Sequence, residues 1–67
     1  MQNVIDSMIQ HDDCVWKVLA TGTVREDGFV FCHLASVHSF RKTKNGNVPW
    51  QINDWVSPRA LKLARNV

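Results

Sequence analysis

The sequence predicts an α+β fold in which a short N-terminal helix, a three-stranded antiparallel β-meander and a C-terminal helix follow in order, both helices packing on one face of the sheet. Three observations carry the expectation. Polar and apolar residues alternate from Cys14 to Val24, the dipeptides Asp27-Gly28 and Asn45-Gly46 are hairpin-turn signals, and Ala60, Leu63, Ala64 and Val67 recur at helical spacing.

In residues 3 to 10, Val4, Ile5, Met8 and Ile9 are spaced for one face of a helix, with Asn3 as its N-cap. From Cys14 to Val24 the period becomes two, as in a half-buried strand. Asp27-Gly28 then turns the chain into a second strand, Phe29 to Phe40, rich in Phe and Val. After Asn45-Gly46 comes a shorter strand, Val48 to Asn53. Pro49 cannot donate to a ladder, so this strand belongs at an edge. Ser57-Pro58 reads as an N-cap followed by proline in the first turn, opening a helix that runs to about Asn66.

The turns also set a register. If Asp27-Gly28 is a two-residue loop, Val24 faces Phe31, Gly22 faces His33, Ala20 faces Ala35 and Val18 faces Val37. If Asn45-Gly46 is the second loop, Arg41 faces Trp50 and Ser39 faces Ile52. Trp50, Ile52, Val37 and Phe31 then share a dry face. The opposite, wet face collects Lys17, Thr21, Thr23, Arg25, Cys32, Ser36, His38, Phe40, Lys42, Gln51 and Asn53, with Leu19 and Leu34 as apolar exceptions.

At 67 residues the chain is a single small domain, residues 1–67. A domain of that size buries only about 60% of the surface its unfolded chain exposes. A hydrophobic fraction of 45%, with three Trp and three Phe, argues against disorder. Two cysteines are too few for a disulfide scaffold, so a reducing, cytoplasmic setting is expected. Met1 to Gln10 lacks a basic n-region, and the longest uncharged stretch, Gly28 to Phe40, holds two histidines and two serines. Neither a signal peptide nor a membrane span is expected.

The residues that could do chemistry do not converge in this register. His11, Cys14, Cys32, His33 and His38 include zinc-ligand types, but there is no C-x2-C pair, and Cys14 and His33 fall on the dry face while Cys32 and His38 fall on the wet one. Along the strand, Cys32 and His38 are about 20 Å apart at about 3.3 Å per residue. The same geometry argues against a Cys14–Cys32 disulfide. It also separates His33 from His38, as acid–base catalysis by two histidines forbids; His33, opposite Gly22, reads instead as filling space. Asp12-Asp13 reads as a turn. No metal, cofactor or enzymatic activity is expected.

Charge is the most informative feature. Of eight basic residues, Arg41, Lys42, Lys44, Arg59, Lys62 and Arg65 lie after residue 40, where Asp54 is the only acid. Clustered positive charge attracts phosphates or acidic protein surfaces. The expected function is therefore non-enzymatic nucleic-acid association. Arg41, Lys42 and Lys44 on the hairpin and a helical ridge of Arg59, Lys62 and Arg65 would hold DNA or RNA phosphates, with Phe40 as a stacking platform. The alternative is a small protein-interaction module that offers the same patch to an acidic protein without binding nucleic acid, and a homodimer is a further way to bury it.

Overall fold

A computed structural model describes residues 3–66. It replaces the α+β expectation with a single four-stranded antiparallel sheet in the order β1 (Met8–His11), β2 (Cys14–Val24), β3 (Val30–Thr43) and β4 (Gly46–Val56), followed by one short helix, α1 (Pro58–Lys62). No helix among the described residues is long and apolar enough to cross a membrane.

The N-terminal helix does not form. Four apolar residues in eight suit a strand as well as a helix, and an isolated helix shorter than about 12 residues is marginal. A tight hairpin competes better here. Asp12 and Asp13, both at positive φ (51° and 62°), form the two-residue turn that pairs His11 with Cys14 and Ile9 with Trp16. Val4 to Ser7 wrap back along β2, with the Asp6 N–H donating to Val18 O at 2.7 Å and Val18 N–H to Ser7 O at 3.0 Å. Ile9 is buried whereas Ile5 is exposed.

The C-terminal helix is also shorter than expected. Ser57 Oγ accepts from Ala60 N–H at 3.1 Å and Pro58 occupies the first turn. Leu63 caps the helix, and Arg65 then exchanges backbone hydrogen bonds with Met8 (2.9 and 2.8 Å), which extends the β1 edge instead of continuing the helix. Leu63 of the expected apolar stripe is 65% exposed, and Val67 lies outside the described residues.

The register differs at both hairpins, and with it the identity of the core. Arg25 N–H donates to Phe29 O and Gly28 N–H to Arg25 O, so Glu26, Asp27 and Gly28 (φ 89°) form a three-residue loop. A Cβ at position 28 would lie 2.9 Å from Pro58 Cγ, so this loop is closed against the start of α1. Further along, β2 carries two bulges, between Val18 and Ala20 and between Thr21 and Val24. Val18 thus faces Leu34 rather than Val37, and His33 faces Ala20 rather than Gly22. In the second hairpin the loop is Lys44-Asn45 and Thr43 pairs with Gly46. The second hairpin moves by two residues, which keeps its faces, but the odd shifts between β2 and β3 move Cys32 and Leu34 from the expected wet face into the core and Phe31 out of it. The core is Ile9, Trp16, Val18, Val30, Cys32, Leu34 and Val56, with Val4, Ile52, Ala60, Leu61 and Ala64 packed against it. Trp50, expected on the dry face, is 51% exposed.

The sheet is strongly curled. Three strand spacings of about 4.8 Å would hold β1 and β4 about 14 Å apart in a flat sheet. Instead His11 Nε2 on β1 lies 2.9 Å from Asp54 Oδ2 on β4. The bulges of β2 supply the bend, and Trp16 Nε1–H donates to His11 O at 2.9 Å, fixing the His11 end of the contact.

Candidate nucleic-acid interface

β3 and β4 run together in two stretches. Val30 to Ala35 pair with Val56 to Gln51, then Phe40 to Thr43 pair with Pro49 to Gly46. Between them β3 advances five residues while β4 advances two, so β3 bulges at Ser36 to Ser39, where Ser36 Oγ accepts from Ser39 N–H at 3.0 Å. Beyond this bulge the hairpin is flanked by no other strand among the described residues, which measure 41 Å along their longest axis against 21 and 20 Å across.

The outer hairpin carries the expected cations. Arg41, Lys42 and Lys44 are exposed, and none of them is ion-paired among the described residues. The tip is braced by Thr43 Oγ1, which donates to Gly46 O at 2.7 Å and accepts from Asn45 N–H at 3.3 Å. Pairing and alternation set Phe40 and Lys42 on one side of the ribbon with Pro49 and Asn47, and Arg41 on the other side with Val48 and Trp50. Phe40 is 52% exposed.

The other three cations do not form the expected ridge. Only Arg59 and Lys62 are on α1, which starts at the Val30–Val56 end of the sheet, away from the hairpin tip. Arg59 and Arg65 line an open groove of about 780 Å³ with Met8, Val37, His38 and Leu63. Lys62 borders a different cavity of about 240 Å³ beside Thr21, Gly28 and Val30. Backbone pairing of Arg65 with Met8 on β1 is the reason: the chain leaves the helix one turn too early for a continuous stripe.

Sequence reasoning missed an aromatic cluster on the convex face. The Arg25 guanidinium stacks 4.8 Å from the Phe29 ring centroid and 4.9 Å from that of Trp55, while Phe31 meets Trp55 edge-on with centroids 5.2 Å apart. Asp27 anchors the guanidinium, with Nε donating to Oδ1 at 3.1 Å. That bond holds the Asp27 carboxyl below its ordinary pKa. Next along the same face, His33 Nε2 and Gln51 Oε1 are 2.9 Å apart. The alternation of Val30, Cys32 and Leu34 was the available signal, since a buried 30/32/34 set turns Phe31 and His33 outward.

The closest grouping of metal-ligand types among the described residues is His11, Asp12 and Asp54, whose ligating atoms all lie within 4.8 Å of one another. These are the residues that could hold a divalent cation, at the cost of the His11–Asp54 hydrogen bond. Cys32 is fully buried, which raises its thiol pKa, and Cys14 is exposed, so neither joins the group.

That hydrogen bond, with a second from the Trp55 N–H at 2.8 Å, holds the Asp54 carboxyl below its usual pKa. A carboxylate lowered in the folded state stabilises the fold fully above the unfolded value of about 3.9, and the stabilisation is lost as pH falls through the folded value. The urea midpoint should therefore drop on acidification below about pH 4, and Asp54→Asn should remove part of that drop. Asp27 accounts for a further part with the same sign. An acid slope unchanged in the variant would show that the β1–β4 contact does not stabilise the fold.

Comparison with protein-family models, curated proteins and solved structures found no match.

Proposed function

We propose that the chain is a non-enzymatic, nucleic-acid-associated protein that holds a phosphate backbone with the β3–β4 hairpin, a role compatible with a cytoplasmic setting. One observation supports this reading above the rest: Arg41, Lys42 and Lys44 occupy a hairpin that projects past the body of the sheet, and among the described residues no carboxylate is paired to them. An isolated cation cluster keeps its field, whereas one interleaved with acids cancels it. Phe40 sits on the same ribbon, where it can meet a base, and Arg59, Lys62 and Arg65 add positive charge around the body.

The test is a titration with mixed-sequence DNA and RNA at several salt concentrations, with mass measured beside it by size-exclusion light scattering. Each phosphate contact releases counterions, so three contacts should give log K falling against log salt with a slope of about −2 to −3. Absence of binding at the lowest salt would overturn the proposal. A dimer mass that occludes the hairpin, or binding to acidic proteins alone, would point to the interaction-module reading instead.

A further inference from the structure

Resting on the nucleic-acid reading, we propose that the ligand is single-stranded and that its bases stack on Phe40 and Phe31 along the convex face of the sheet. Phe40 pairs with Pro49 and Phe31 with Trp55, and those two partners are six residue steps apart on β4, so the two rings lie about 20 Å apart along the strand. Both rings are open to solvent, Phe40 at 52% and Phe31 at 39%. In a duplex the faces of the bases are hidden in the stack. An exposed ring on a sheet can receive only an unpaired base.

The face between the two rings suits such a strand. Its positions are His33 and Ala35 on β3 and Gln51 and Asn53 on β4, none of them acidic, with Ala35 buried (7% exposed) between its longer neighbours. Ala35 adds no protruding side chain there, while Asn53, and the polar atoms that His33 and Gln51 leave outside their mutual hydrogen bond, offer donors and acceptors to base edges. Asp54 is on the concave side with His11, Asp27 is bound to Arg25, and Asp6 lies 3.7 Å from Lys17 at the far edge. Phe31 is also held in place, since Trp55 abuts its ring and Arg25 stacks on Trp55. A platform that is already ordered gives up little freedom on binding. At the other end of the path, Lys42 shares the ribbon side of Phe40 and can hold the phosphates of the same strand.

The experiment is fluorescence anisotropy at low salt with an oligothymidylate of about 15 nucleotides, an RNA of the same length, and a duplex DNA of the same length. Single strands should bind at least about tenfold more tightly than the duplex, and Phe31→Ala or Phe40→Ala should each weaken single-strand binding by about 5- to 150-fold with the salt slope unchanged. Phe31→Leu keeps apolar bulk while removing the ring, and it should lose binding as well; if it binds like the unaltered protein, stacking at that position is refuted. Duplex binding as tight as single-strand binding would overturn the inference while leaving the hairpin reading intact. Binding of none of the three probes would overturn both.

Discussion

Replacing Arg41, Lys42 and Lys44 together by glutamine should weaken binding to either nucleic acid by about 100- to 1,000-fold at about 0.1 M salt, and should reduce the salt slope by about 2 to 3. The magnitude follows from counterion release, which adds about 0.7 to 0.9 to the slope per contact, or nearly a decade of affinity per contact at that salt. The same variant should keep its urea midpoint. All three side chains are exposed, and among the described residues none contributes an ion pair that the fold would lose. Retained affinity in the folded variant would move the phosphate site off the hairpin, with Arg59 and Arg65 in their groove the next positions to alter.

Leu34→Ala should destabilise the domain by about 3 to 5 kcal/mol and leave much of it unfolded at room temperature. Leu34 is fully buried in the cross-strand row Val18, Leu34, Ile52, at the centre of the curled sheet, where the neighbouring strands cannot collapse into the space it leaves. Against this, a 67-residue domain has a total stability of only about 3 to 10 kcal/mol. Urea titration followed by tryptophan fluorescence reads the loss directly. The outcome also discriminates between registers: pairing Val18 with Val37 would place Leu34 in solvent and make the substitution nearly neutral, so a midpoint close to that of the unaltered protein would count against the sheet described here.

Much of this sheet is legible in the sequence, but its faces are not. The alternation from Cys14 to Val24 marks β2, and the Asp-Gly and Asn-Gly dipeptides mark both later hairpins. What a dipeptide does not reveal is which residues form the loop. Gly28 closes a three-residue loop and Gly46 follows a two-residue one, and the odd offset of the first combines with the β2 bulges to exchange inside for outside. β1 was hidden because Val4, Ile5, Met8 and Ile9 satisfy helical spacing, although Asp12-Asp13 between Ile9-Gln10-His11 and Cys14-Val15-Trp16 is a hairpin signal in its own right. The candidate site divides in the same way. Arg41, Lys42, Lys44 and Phe40 were found because a hairpin tip is exposed in any register, whereas Phe31 and Trp55 depend on the one register that turns them outward.

Position 28 is constrained twice, by a positive φ that favours glycine and by Pro58 Cγ, which stands where any larger side chain would begin. The first is local to the loop and the second comes from a residue far away in sequence, so the pair Gly28–Pro58 defines a covariation. Distant relatives that retain a Ser-Pro helix start after the last strand should retain glycine in the first long hairpin, whereas those that lose the proline keep only the preference set by the positive φ. In an alignment of such relatives the pair would mark the packing of the first long hairpin against the helix start, even where the core residues have diverged.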